Sequence, residues 1–287
     1  MFARLLLIPF GLGALMMLYL TWEVHEGYAP YIIPFILIMA VLYVFAPQIN
    51  WWWYNRNPPE LDAPLRQLFL EKMPFYQALN QSEQERFRQR MALYIMGNEF
   101  MPQSMESVPE DIKGIIALNA TRMTFGLSDI LMEKFEKFII CPSWFPSPQY
   151  PEDFHTSEIF EEDGVILYSG EHLIHSFMQA AVSFNFCLYE LIKAFYVEYD
   201  DQDYPEVSWD QLEKLEVRNR TEIKDYINLA LEDIDPLGVA GVFFFEQPVK
   251  FQKHLPEVFE HFTQIFNQNP LEQNDPVITK SVLVKEK

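Results

Sequence analysis

Asn185-Phe186-Cys187-Leu188-Tyr189-Glu190-Leu191-Ile192-Lys193-Ala194-Phe195 is the stretch on which the reading of this chain turns. It lies in a segment, 183–199, that reads as a helix. Within it Glu190 follows Tyr189, and Lys193 comes three residues later. A glutamate flanked by apolar residues occurs in any amphipathic helix, so the segment is anonymous when taken alone.

Its spacing gives it more meaning. Tyr189, Glu190 and Lys193 stand where His-Glu-x-x-His would place its first histidine, its glutamate and its second histidine. In that pattern two imidazoles one turn apart bind zinc, and the glutamate acts as general base. Tyrosine is not among the usual zinc ligands, and a protonated lysine has no lone pair to offer. Lys193 is also spaced for an ion pair with Glu190. Two arrangements follow from that spacing. In one, Tyr189, Glu190 and Lys193 form a metal-free polar cluster, with the ammonium supplying the positive charge. In the other, Glu190 and Lys193 sit on the wet face of an ordinary helix.

Four further segments flank this helix in order. They are Gln77 to Arg88 with its Glu85-Arg86-Phe87-Arg88 run, Phe138-Ile139-Ile140-Cys141-Pro142-Ser143-Trp144-Phe145, Gly164-Val165-Ile166-Leu167-Tyr168-Ser169-Gly170-Glu171, and Phe244-Phe245-Glu246-Gln247-Pro248 followed by His254-Leu255-Pro256-Glu257-Val258-Phe259. From about Tyr76 to Pro270 the chain resembles the MtfA-like (Mlc titration factor A) family of zinc-dependent peptidases. The resemblance implies an α+β fold, a mainly helical zincin-like domain with a small sheet. It implies zinc as the family's metal and Glu190 as the relic of its general base. It also implies an acidic ligand just before Phe-Phe-Glu-x-Pro. A gapless count puts Val242 there, with Asp235 two turns earlier. Valine cannot bind metal, and Asp235-Pro236 reads as a turn or helix start. Tyr189, Glu190, Lys193 and Val242 therefore mark a degenerate site, and no cofactor is expected.

Composition narrows the function classes. The 287 residues carry a formal net charge of −20, which argues against nucleic acid as a partner. Two cysteines, Cys141 and Cys187, are too few for a disulfide framework and read as buried small hydrophobes. No Gly-rich phosphate loop and no nucleophile elbow occur. His172 and His175 are the remaining metal-like spacing, with His155 and Glu158 the nearest further ligands in sequence. The acidic stretch 199–206 lacks the spacing of a calcium loop.

Residues 5–20 and 31–46 carry no charge and are flanked by Trp22, Tyr28 and Trp51-Trp52-Trp53-Tyr54. They read as a two-helix transmembrane hairpin contacting the lipid bilayer. Arg4, Arg56 and Arg66 flank the spans and the connecting segment has no Lys or Arg. That bias places both termini and the acidic domain on the cytoplasmic side of the inner membrane. The expected organisation is hairpin 1–56, linker 57–75, peptidase-like domain 76–270 and tail 271–287. Ser82 with Glu85 reads as a capping box opening a helix that ends near Gly97. Strands are expected over 136–141 and 165–168, and helices over 112–123, 171–182, 212–231 and 255–267. The functional expectation is a non-catalytic protein that acts by binding an unidentified protein partner. The alternatives are an active peptidase with non-standard ligands and a structural subunit of a membrane complex.

Overall fold

The computed structural model of the chain describes residues 2–61, 63, 73–180, 183–215 and 218–272. They fall into two units, Met1–Pro59 and Glu60–Lys287. Most of the expected linker, 62 and 64–72, lies outside the described residues, as does the tail from 273.

In the first unit the uncharged runs form helices Phe2–Glu23 and Ile32–Val44, joined through a 3-10 turn, Glu26–Tyr31. The first has 22 residues, about 33 Å at 1.5 Å per residue, against a hydrocarbon core of roughly 30 Å. Leu5, Ile8, Leu12, Leu15, Ile33 and Leu37 are all exposed. Aliphatic side chains bared along a helix are unfavourable in water and at home in lipid. Both segments, Phe2–Glu23 and Glu26–Val44, are long and apolar enough to cross a membrane. A third helix, Ala46–Arg56, folds back on the first: Trp53 stacks on Phe2 at 4.1 Å, and Asn50 accepts from the Ala3 amide at 2.9 Å.

The second unit is mainly helical around a four-stranded sheet. The strands are β1 (Glu99–Pro102), β2 (Lys137–Cys141), β3 (Ser157–Phe160) and β4 (Val165–Ser169), in the order β1-β2-β4-β3. β1, β2 and β4 run parallel, and β3 is antiparallel to β4. Rings cross the sheet in a row: Phe100 stacks on Phe138 at 5.2 Å and Phe138 on Tyr168 at 6.4 Å. Tyr168 then donates to the Cys187 carbonyl at 2.9 Å and joins the sheet to the Phe186–Glu198 helix. β2 and β4 fall where the sequence reading puts them; β1 and β3 are additions. The hairpin β3–β4 turns through Gly164 at φ 62°, where a Cβ would meet the Lys134 carbonyl oxygen at 2.0 Å. Only glycine fits there.

The expected capping box shifts by two residues. Helix Gln81–Gly97 is capped by Asn80, whose side chain accepts from the Glu83 amide at 3.0 Å while Glu83 accepts from the Asn80 amide at 2.9 Å. The sequence carries two overlapping signatures, Asn80-x-x-Glu83 and Ser82-x-x-Glu85, and the earlier one closes. Ser82 instead donates to Asn80. Asn80→Ala should therefore lower stability by about 1 kcal/mol, whereas Ser82→Ala should cost only a few tenths. Chemical denaturation midpoints distinguish the two outcomes.

Phe87, Met91 and Tyr94 are buried, as are Ile112, Ile115, Ile116 and Met123 on helix Glu110–Thr124. Both stripes are core. The expected 212–231 helix is shorter, Arg218–Ile227, preceded by the turns Trp209–Leu212 and Glu213–Leu215. Asn228, at φ 60°, ends it. The expected 171–182 helix is Gly170–Met178, and 181–182 lie outside the described residues. Asp235 opens helix Pro236–Glu246, and the chain closes with Pro248–His254 and Pro256–Ile265.

Candidate functional site

The Phe186–Glu198 helix is buried along most of its length and packs on helix Glu110–Thr124, on β3 and on helix Pro236–Glu246. Asn185 fixes its start. The Asn185 carbonyl oxygen of the side chain accepts from the Leu188 amide at 3.0 Å, and Nδ2 donates to Asn119 at 2.9 Å and to Glu246 at 2.8 Å. Burial pushes the Glu246 carboxyl up, against the pull of Arg122 and of the Asn185 bond. Glu246, from Phe-Phe-Glu-x-Pro, thus helps hold the N-terminus of the central helix.

Midway along that helix, Glu190 is 2% exposed and has a partner on each carboxylate oxygen. Ser157 Oγ, from β3, donates to Oε1 at 2.8 Å. Lys193 Nζ donates to Oε2 at 2.9 Å. A buried carboxylate requires such partners, because stripping it of water is otherwise prohibitive. Lys193 also lies over the Tyr189 ring, 5.0 Å from its centroid. Burial pulls the Lys193 pKa down, but Glu190, Tyr189 and Asp235 together outweigh it and hold the ammonium above its ordinary range. It is therefore charged at any physiological pH.

Tyr189 turns toward the C-terminal helices. Its hydroxyl accepts from the Asp235 amide at 2.9 Å. Burial raises the phenol well above its usual range, so it stays protonated. Gly238 makes this approach possible, since a Cβ there would sit 2.8 Å from the Tyr189 ring. The Asp235 carboxylate is committed to capping, accepting from Leu237 at 3.1 Å and Gly238 at 2.8 Å.

A cavity of about 650 Å³ opens beside this cluster. Tyr150, Ser157, Glu158, Glu190, Lys193 and Asp233 lie in its wall. Burial and then Asp233 push the Tyr150 phenol up, while Lys193 pulls it down and Glu158 and Glu190 add to the rise. Exposed Glu161, Glu162 and Asp163 border the same cavity.

A family profile described as glucose-regulated metallo-peptidase M90 matches residues 49–194, about half of the 287 residues. The chain belongs to that family. No curated protein matches it. The M90 match ends just past Lys193, so it includes the central helix only as far as Ala194 and neither Asp235 nor Val242.

M90 proteins form a zinc metallopeptidase family, and the donor set at this site does not suit zinc. Beside Glu190 stand the protonated phenol of Tyr189 and the ammonium of Lys193, neither of which is a zinc ligand. The ammonium would also repel a cation. Val242 is buried in the core of helix Pro236–Glu246 and does not line the cavity. Among the described residues no cluster of three or more His, Cys, Asp or Glu is arranged to hold a metal ion.

His172 and His175 are engaged elsewhere. His172 Nδ1 meets Ser169 Oγ at 2.8 Å, and its Nε2 accepts from the Trp144 indole. Indole only donates, so His172 carries its proton on Nδ1. Burial lowers its pKa, which keeps the ring neutral at pH 7. His175 Nδ1 meets the Tyr226 hydroxyl at 2.8 Å. His155 and Glu158 pair with each other at 2.9 Å, both buried. The four side chains do not converge.

Ser157, Tyr150 and Asp233 are among the cavity residues that sequence reading missed. Ser157 meets Glu190 across 33 residues, through a strand too short to show a period. No local pattern marks it.

Proposed function

We propose that this protein is a membrane-anchored, non-catalytic member of the M90 family that acts by binding a protein partner. Its acidic domain faces the cytoplasm, on the positive-charge bias around the spans. One observation carries the reading. The Lys193 ammonium holds Glu190 from the position where a zinc histidine would stand. A general base needs a polarised water to act on. Glu190 has neither a ligand pair beside it nor a free oxygen. What survives is a formed cavity of a size suited to ligands, roughly 300–1,000 Å³.

Metal analysis and a casein hydrolysis assay on the full-length protein in detergent test this. Zinc should fall well below one per chain, and hydrolysis should match that of Glu190→Gln. Stoichiometric zinc that is lost in His172→Ala or His175→Ala, or hydrolysis that depends on Glu190, would overturn it.

A further inference from the structure

Exposed apolar side chains are concentrated on one part of the second unit. Among the described residues there, six large ones are exposed: Met96, Trp144, Phe154, Ile174, Met178 and Val249. Scattered singly, such side chains are normal on any surface. Four of the six, however, come from two segments in contact, 142–156 and helix Gly170–Met178. The Glu171 amide donates to the Pro142 carbonyl at 3.1 Å, and the Trp144 ring lies 5.1 Å from that of His172. The backbone sets the direction of each side chain. Phe145 and His155 exchange both amide–carbonyl bonds, at 3.2 and 3.1 Å, and bury their side chains. Alternation along an extended chain then turns Trp144 and Phe154 outward. Ile174 and Met178 are four residues apart, on one face of their helix. Tryptophan, phenylalanine and methionine are the apolar types enriched at protein interfaces.

Charge selects the occupant. Glu152, Asp153 and Glu171 are exposed in the same two segments, and 142–156 and 170–180 contain no Lys or Arg. Such a surface repels anionic lipid headgroups. A second copy of this chain would meet it with like charge. A polypeptide with Lys or Arg beside its apolar side chains is complementary to it on both counts. We infer that this surface docks a basic, amphipathic segment of the partner protein. Its apolar side chains would lie on Trp144, Phe154, Ile174 and Met178, and its cations toward Glu152, Asp153 and Glu171. The inference rests on the binding role proposed above and gives that role a surface and a partner chemistry.

The test is selection from a random dodecapeptide library displayed on phage. The target is the full-length protein in phosphatidylcholine nanodiscs, with binders of empty nanodiscs removed. Ile174→Ser with Met178→Ser is the counter-target; both side chains are exposed, and circular dichroism checks that the fold survives. Recovered peptides should combine aliphatic or aromatic residues with Lys or Arg. Synthesised singly, they should bind the double variant at least tenfold more weakly. They should bind a Glu152→Gln, Asp153→Asn, Glu171→Gln variant about threefold more weakly, and this variant carries the test if the double variant does not fold. Peptides that are acidic or uncharged, or that bind both variants as well as the parent, would overturn the inference, as would recovery of none. A second measurement addresses the bilayer as occupant. Met178→Cys is labelled with a bimane fluorophore, Cys141 and Cys187 being buried. Iodide in the medium should quench it. Quenching by brominated phosphatidylcholine instead would put this surface on lipid and overturn the polypeptide assignment. Each of these failures leaves the zinc and hydrolysis measurements to decide the broader reading separately.

Discussion

Lys193→Met should destabilise the folded protein by about 3 kcal/mol, and the loss should depend on pH. Removing one partner of a buried ion pair costs about 3–5 kcal/mol, because the other charge is left uncompensated. Glu190 is 2% exposed and Lys193 is 24% exposed, so the lower end of that range applies. Methionine keeps the length of the side chain, which limits the packing loss. After the change Ser157 alone faces the carboxylate. A carboxylate left that way escapes by taking up a proton, which is easier as pH falls. The variant should thus regain part of the lost stability as the pH is lowered. The sign is fixed by the chemistry: a buried acid stripped of its cation favours its neutral form in the folded state, so folding binds protons. In the parent protein the raised Lys193 pKa works the other way. Its contribution is fully present below the ordinary lysine value and is lost only as the medium becomes strongly alkaline. A double variant, Lys193→Met with Glu190→Gln, should recover most of the loss, since no lone charge remains. Denaturant midpoints at several pH values separate these outcomes. A pH-independent loss for the single variant would mean that only packing had been removed.

Phe244→Ala should cost about 3–5 kcal/mol, with no such dependence on pH. Phe244 has no exposed surface. Five rings surround it: Phe245 at 5.0 Å, Phe251 at 6.2 Å, Phe259 at 5.2 Å, Phe262 at 5.5 Å and Phe266 at 5.9 Å. They come from three helices, Pro236–Glu246, Pro248–His254 and Pro256–Ile265, and from the turn that follows. Alanine removes the shared contact and leaves a void that rigid rings cannot collapse into. The edge-to-face pairs add roughly 0.5–1.5 kcal/mol each beyond buried area, so the upper half of the range is expected. Phe244→Leu, which refills most of the space, should recover more than half. The comparison matters for the site because Glu246 lies two residues on and holds Asn185. Loosening this cluster should also loosen the start of the central helix.

The elements legible in the sequence were those with a long period or firm punctuation. The stripes Phe87-Met91-Tyr94 and Ile112-Ile115-Ile116-Met123 repeat over about two and about three turns and turn inward as the periodicity requires. Strands 137–141 and 165–169 are β-branched runs bounded by proline, glycine and serine. Strands β1 and β3 have four residues each and include Glu99, Pro102, Ser157 and Glu158, which no strand propensity favours. They are strands because of what they pair with. The site divides in the same way. Glu190 and Lys193 are three residues apart on one helix, so their spacing announced that they could meet. Ser157, Asp233 and the amide of Asp235 reach the same place through the tertiary fold, across 33 to 46 residues. Counting back from Phe244 reached Val242, but helix Pro236–Glu246 turns that residue into the core. Spacing alone also left open whether Glu190 would be wet or buried.

The contact between Lys193 and Glu190 has one more consequence. A metal ion is a separate solute, acquired after synthesis and removable by dialysis, competition or a chelator. The cation that faces Glu190 is encoded in the chain itself and attached to the same helix. On that side of the cavity the protein has no apo form to pass through. It leaves the ribosome already carrying its counter-ion, in a ratio that no change in cellular supply can alter.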